Sequence, residues 1–298
     1  MAKGRQLKGR IRSVRNTRKI TRTMELVSTS KLKRAQDRVH AARPYAEALR
    51  DTIADLVTPE LAESFPLLRT QRPIAQGGPR RAAVVLLTSN RGLCGAFNAN
   101  LIKEARRRVE ALEAEGYTVD LHAVGKKGAA FFKYLGRPLA TDRQDIGDKP
   151  TADHAIEIAA PLIAAYEAGE LASVDLVQAR FLSALSTPPA TVRILPVQAE
   201  KTTGAAAATG PAPDYILVPS AGAILEQLLP LYVRNVVYRG LVETAAAEHG
   251  ARRTAMKNAT DNAGELIEVL TRTFNRQRQA QITQEIAEIV GGAAALQG

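Results

Sequence analysis

The sequence has few of the residues that crosslink or anchor small folds. Its 298 residues include one cysteine, Cys94, and no tryptophan, and aromatic residues make up 4%. A single cysteine excludes an internal disulfide and a cysteine-based metal cluster, and it predicts a reducing compartment. No apolar run reaches about 18 residues, so no membrane insertion is expected. Alanine, leucine, arginine and glutamate are abundant, which is typical of a helix-rich chain.

Excess positive charge is confined to the start of the chain. The first forty residues contain thirteen Lys and Arg against two acids, Glu25 and Asp37, whereas the remaining residues include 28 of each sign. The whole formal charge of +11 therefore belongs to this segment. Such a segment binds a polyanion, faces an acidic protein surface or remains in water.

Both ends of the chain show the apolar spacing of long helices. Near the start, small and apolar residues recur at three- and four-residue steps: Leu7, Ile11, Val14, Thr21, Met24, Ser28, Leu32, Ala35 and Val39. After Pro230 the same spacing returns: Val242, Ala246, His249, Met256, Thr260, Ala263, Ile267, Leu270 and Phe274. These narrow faces are typical of a coiled-coil seam, so we expect the two helices to pair antiparallel. Glycines at 240, 250 and 264 are expected to weaken the second helix.

The middle of the chain alternates strands and helices. Strand patterns occur in RRAAVVLLTSN, which ends in a turn, and in YTVDLHAVG, SVDLVQARFLS and TVRILPVQ, and helical patterns lie between the first three. This order predicts a three-layer α/β domain with a largely parallel, Rossmann-like sheet. The segment 199–213, rich in Ala, Gly and Thr, is expected to be a surface loop. The predicted division is an N-terminal coiled-coil helix at 1–58, an α/β domain inserted at 75–213 and a C-terminal coiled-coil helix at 214–298.

No catalytic motif is found in the sequence. Dinucleotide, P-loop, nucleophile-elbow and zinc-protease patterns are absent, and the four histidines lack metal-ligand spacing. The segment TSNRGLCGAFN at 88–98 follows a strand and precedes a helix, as a phosphate-binding loop would. It lacks the glycine pattern and the lysine of such loops, so a tight strand-to-helix turn is predicted. No catalytic residue, cofactor or metal site is expected.

The C-terminal segment combines a polar stretch with an apolar one. Residues 275–281 offer Ala280 as their single apolar side chain, after which Ile282, Ile286, Ile289 and Val290 form an apolar face. This pattern favours a helix tip held in an apolar sleeve whose rim binds the polar stretch. A frayed terminus is the alternative.

Three segments of the chain resemble the gamma subunit family of F-type ATP synthases. They are IRSVRNTRKITRTMELVSTSKLKRAQ, TSNRGLCGAFN and ARRTAMKNATDNAGELIEVLTRTFNRQRQAQITQEIAEIVGGAAAL. The resemblance implies a non-catalytic rotor shaft inside a hexamer of alpha and beta subunits. It also implies that the α/β domain contacts the epsilon subunit and the membrane ring of c subunits, whose rotation is driven by proton or sodium flow.

The resemblance assigns roles to individual residues of this chain. Met24 and Arg252 correspond to family residues near the acidic lever of the beta subunit. Four further residues correspond to the polar collar that meets the stator in the family: Arg278, Gln279, Thr283 and Glu285. Residues 286–296, including Ile286 and Ile289, would fill the hexamer's bearing. Cys94 alone cannot form the regulatory cysteine pair of photosynthetic members, which favours a bacterial enzyme with this subunit peripheral on the cytoplasmic side of the inner or plasma membrane.

Two other classes of protein remain open at this point. A basic coiled-coil nucleic-acid binder would lose affinity steeply with salt, although the first forty residues contain no aromatic side chain for stacking. An α/β enzyme with a helical appendage would place a perturbed titratable group in a pocket within 75–200.

Overall fold

The computed structural model describes residues 2–70, 80–183, 186–198 and 220–297. Its helices and strands follow one another in this order: α1 (Ala2–Leu56), α2 (Pro59–Ser64), β1 (Arg80–Leu87), α3 (Phe97–Ala114), β2 (Tyr117–Val124), α4 (Lys126–Tyr134), β3 (Thr141–Arg143), α5 (Ala152–Glu167), β4 (Ser173–Ala179), β5 (Pro189–Leu195) and α6 (Ala221–Gln297). The predicted surface loop at 199–213 lies outside these residues. The predicted three-part division of the chain remains a prediction.

The sheet has the order β3-β2-β1-β4-β5. Strand β1 is central and pairs in parallel with both β2 and β4, while β2 pairs in parallel with β3. Strand β5 is antiparallel to β4. The prediction of a largely parallel sheet is therefore confirmed.

Helices cover both faces of the sheet. Alternate residues of β1 contribute to two separate buried clusters, because successive side chains of a strand point to opposite faces. One cluster joins Val85 to α5 and to Ile53 of α1, and the other joins Val84 to α3 and α4. Both also include residues of α6, represented by Val237 and Val242. The three-layer prediction is confirmed, and the long helices contribute to the core of the sheet.

The chain forms two compact units, one of residues 1–29 with 252–298 and one of residues 30–251. In the first unit, α1 and α6 run antiparallel. Thr260 Oγ1 lies 2.8 Å from Thr21 Oγ1 in a buried hydrogen bond, and a side chain added at Gly264 would contact Arg18. Residue numbers therefore increase along α6 in the direction in which they decrease along α1. The predicted antiparallel coiled coil is confirmed by this pairing.

Helix α6 lies within the predicted range of 214–298 and begins before the seam that the sequence shows after Pro230. It starts at Ala221, includes Pro230 and continues through the three glycines. A proline inside a helix costs about 3 kcal/mol. Five residues spaced by four outweigh this cost, since burying each apolar side chain stabilises by about 1.5–3 kcal/mol. They are Leu225, Leu229, Val233, Val237 and Leu241, each at most 5% exposed.

Candidate functional site

The first unit presents a basic groove. It is lined by exposed cationic side chains together with Ile11 and Ile267, and it encloses about 790 Å³. The cations are Arg5, Lys8, Arg12, Arg15, Arg18 and Lys19. Glu25 is the single acid among the first 29 residues, and it forms an ion pair with Arg22 at 2.9 Å. Six cations and no acidic side chain are among the residues that line the groove, so it attracts an anionic partner.

Exposed apolar side chains occupy the same two helices. Those of α1 are Ile20, Leu26 and Val27, and those of α6 are Leu266 and Val269, each between 45% and 60% exposed. Exposed apolar and arginine side chains are typical of protein interfaces. The sequence analysis missed these five residues, although they interrupt the polar face of each predicted helix.

Met24 and Arg252 lie in the first unit on opposite helices. Met24 is half-buried, and its carbonyl oxygen accepts a hydrogen bond from Ser28 Oγ at 2.7 Å. Arg252 is 7% exposed, so contacts within the chain occupy most of its side chain. Their role as partner contacts remains a prediction.

Residues 282–293 of α6 are exposed. Arg278, Gln279, Thr283 and Glu285 are exposed, and Thr283 Oγ1 donates to the Gln279 carbonyl of its own helix at 3.0 Å. The predicted apolar face is also exposed: Ile282 (47%), Ile286 (57%), Ile289 (72%) and Val290 (62%). Four neighbouring apolar side chains in water form a face that is stabilised when another molecule covers it.

The segment 88–98 folds as the predicted tight turn. Ser89 donates its backbone N–H to Asn98 Oδ1 at 3.0 Å. Leu93 and Gly95 adopt φ of 63° and 59°, which reverse the chain between β1 and α3. Cys94 is buried, and its sulfur accepts a hydrogen bond from Asn98 Nδ2 at 3.1 Å. These contacts have a structural role in closing the turn.

A cavity of about 290 Å³ lies where β1 and β2 end. Its polar side chains include Thr88, Asn90, Asp148 and Glu248. Burial disfavours ionisation of Asp148, but the hydrogen bond from Lys31 and the nearby charges of His249 and Arg91 outweigh it, and the pKa of Asp148 is lowered. A carboxylate with a lowered pKa is a weak proton acceptor, so Asp148 is poorly suited to act as a general base. Within the described ranges no cluster of three His, Cys, Asp or Glu side chains could bind a metal.

Two features define the class of this protein. The first unit is an antiparallel pair of long helices with exposed basic and apolar side chains, and the second contains a largely parallel sheet covered by helices. A family model described as ATP synthase matches residues 3–296. The ATP synthase gamma chain of Gemmatimonas aurantiaca is 63% identical over 298 residues, covering 100% of both chains. That of Leptospira biflexa is 43% identical over 296 residues, covering 99% of this chain and 100% of the relative. The chain belongs to the ATP synthase gamma chain family.

A solved structure shares the fold. It is the cryo-EM structure of the Euglena gracilis mitochondrial ATP synthase rotor in rotational state 1. The likeness has a TM-score of 0.66 at 18% identity and covers 94% of this chain and 99% of the matched chain.

Proposed function

We propose that this chain is the central-stalk rotor subunit of an F-type ATP synthase and catalyses no reaction itself. It couples proton-driven rotation of the membrane ring of c subunits to conformational change at the catalytic sites of an alpha-beta hexamer. The observation that carries this proposal is the 63% identity to a gamma chain over the full length of both chains. The nucleic-acid alternative gains no support from the relatives.

The surfaces of the first unit support the proposal physically. The basic groove and the half-buried Met24 offer contacts to acidic loops of the beta subunit. An exposed ion pair contributes only about 0–1 kcal/mol, so contacts of this kind form and break as a shaft turns. Deeply buried pairs would instead resist rotation, because separating them leaves an uncompensated charge.

The exposed tip of α6 supports a second set of contacts. Ile286 and Ile289 would enter an apolar sleeve formed by the top of the hexamer. Arg278, Gln279, Thr283 and Glu285 would form hydrogen bonds at its rim. Arg252 is assigned to the beta contact through the small part of its side chain that is exposed.

The α/β unit would contact the epsilon subunit and the ring of c subunits. Among the residues that the structure describes, no helix has both the length and the apolarity to cross a bilayer. We place the subunit peripherally, on the cytoplasmic side of the inner or plasma membrane.

The test is a tagged pull-down of the full chain from detergent-solubilised membranes of its own host. Native mass spectrometry is expected to give one copy of this chain per three alpha-beta pairs, and the eluate is expected to hydrolyse ATP. Removal of residues 275–298 is expected to lower hydrolysis by about tenfold or more, because the tip would no longer occupy the sleeve. Elution of the intact chain alone, or with nucleic acid, would contradict the proposed function.

A further inference from the structure

Asp148 connects the 144–150 loop, which joins β3 to α5, to both long helices within the unit of residues 30–251. Its Oδ2 accepts a hydrogen bond from Lys31 Nζ of α1, and its Oδ1 lies 3.8 Å from His249 Nε2 of α6. Arg38 NH1 donates to its backbone carbonyl at 3.5 Å. One residue of the loop therefore contacts α1 and α6 at once.

Asn90 holds the other end of this loop to the sheet. Its Nδ2 donates to the carbonyl oxygens of Gln144 and Ile146, both at 2.9 Å. Its Oδ1 accepts the backbone N–H of Lys126 at 2.8 Å. The loop is thus fixed to the carboxyl ends of β1 and β2 by Asn90 and to the two helices by Asp148.

Apolar packing between this loop and α6 is incomplete. The cavity of about 290 Å³ lies between them and is lined by Ile146, Gly147 and Pro150 of the loop and by Leu241 and Ala245 of α6. A void removes the dispersion contacts that close packing would provide. The polar contacts of Asp148 therefore supplement the packing of Ile146 against the buried cluster that includes Leu241.

Charge favours this link in the folded chain. His249 is 2% exposed and Asp148 is about one-third exposed, so water screens their interaction only partly. Lys31 and Arg38 add two cations from α1 on the same loop residue. Charged hydrogen bonds are directional, so they resist sliding of the loop along the helices, whereas apolar contacts are non-directional.

We propose that Asp148 is a positioning residue of the rotor, which transmits torque between the α/β sheet and helices α1 and α6 through the 144–150 loop. This role rests on the proposed function. It adds a mechanical requirement: the sheet, which is expected to meet the membrane ring, must not slip against the helices that are expected to act on the hexamer.

The test compares D148N with D145N in the complex formed with the host's own subunits. Both variants remove one negative charge from the same loop, but Asp145 is paired with Arg143, whose second partner Glu157 remains. In D148N, amide hydrogen exchange in 146–149 is expected to accelerate about three- to tenfold, because the side chain at 148 no longer carries the negative charge that attracts Lys31 and His249. The ratio of proton-driven ATP synthesis to ATP hydrolysis is expected to fall about twofold or more. D145N is expected to change neither.

A double-mutant cycle with K31Q separates the two sides of the link. If Lys31 acts through Asp148, K31Q combined with D148N will be no more impaired than D148N alone. Faster exchange with an unchanged ratio of synthesis to hydrolysis would overturn the positioning role, and so would unchanged exchange. Failure of the unaltered chain to join alpha and beta subunits would instead refute the proposed function, and exchange in the free full-length chain would still show whether Asp148 holds the loop.

Discussion

His122 lies on β2 directly opposite Thr141 of the edge strand β3. Its Nδ1 is 3.0 Å from Thr141 Oγ1, and the ring is half-buried. Burial lowers the pKa of His122 below its ordinary 6.5; Arg81 acts in the same direction and Asp120 opposes both. The folded chain therefore binds this proton less readily than the unfolded chain does.

The lowered pKa of His122 predicts a pH dependence of stability. As pH falls through about 6.5, the unfolded state gains a proton before the folded state does, so the free energy of unfolding decreases. Denaturant titrations at about pH 5.5 and about pH 7.5 measure this difference. H122N is expected to reduce it, whereas the matched variant H40Q at an exposed position should preserve it. An H122N chain with an unchanged pH difference would exclude His122 as its source.

A buried ion-pair cluster around Asp175 could not be predicted from the sequence. The fold buries Asp175 and places it within hydrogen-bonding distance of Arg108 and Arg193, at 2.8 and 3.0 Å. These partners come from α3 and β5, which are far apart in the chain. Sequence spacing does not predict this cluster of one carboxylate and two guanidinium groups. It forms only because the sheet order places β4 beside β5.

At the scale of elements, Gly240 allows α6 to pack closely against β4. Its low helix propensity does not predict this role. A Cβ added there would lie 2.2 Å from Gln178 Oε1 and 2.7 Å from Leu176 Cδ2 of β4. The sequence analysis expected glycine to weaken the helix. At this position, however, the missing side chain allows α6 to lie directly against the sheet.

Gly240→Ala is therefore expected to destabilise the chain although alanine favours helix. Overpacking should cost about 1–3 kcal/mol, which outweighs a propensity gain of at most about 1 kcal/mol. Thermal or denaturant unfolding of the full chain measures the change. Gly222→Ala in the same helix is the control, because its added Cβ meets Phe65 at an ordinary 3.9 Å. Equal stability of the two variants would show that a Cβ at position 240 is accommodated against β4 without overpacking.

Elements with long and regular patterns were predicted from sequence. The spacing of α1 and the run of β1 needed no tertiary information, because a buried helix face or a strand buried on both faces leaves a clear pattern. Helix α2 and strand β3 were not predicted. With six and three residues, they are too short to show a period.

At the scale of the whole molecule, the position of the positive charge predicts which partners depend on it. The basic groove belongs to the first unit, whereas α3 of the second unit has its own exposed cations at Lys103, Arg106 and Arg107. Only the cations of the basic groove lie on a helix that is proposed to contact the alpha-beta hexamer.

Reversing three charges of the groove, R12E/R15E/K19E, is expected to lower recovery of alpha and beta subunits in the pull-down by about tenfold. The effect should diminish in high salt, since salt already screens exposed charges. The control K103E/R106E/R107E changes net charge equally and should retain the hexamer, as its disrupted surface pairs contribute little. Equal loss in both variants would indicate a response to net charge alone.

The exposed apolar tip gives a second prediction at this scale. I286D/I289D is expected to leave the free chain folded, because both side chains are already exposed, and to reduce ATP hydrolysis by the complex about tenfold or more. I286V/I289V keeps the face apolar and should stay near full activity. Circular dichroism of the free chain together with hydrolysis assays distinguishes these outcomes. Full activity of the aspartate variant would contradict an apolar sleeve.

The sequence by itself determined the two helix seams, the alternating α/β middle and the basic segment. The first two follow from the local periodicity of apolar residues, and the third follows from the local density of charge. The tertiary structure decided that α1 and α6 also cover the sheet, that Gly240 adjoins β4 and that Asp148 meets Lys31 and His249. Those contacts join residues far apart in the chain. Their geometry depends on how the elements pack, and no local pattern encodes it.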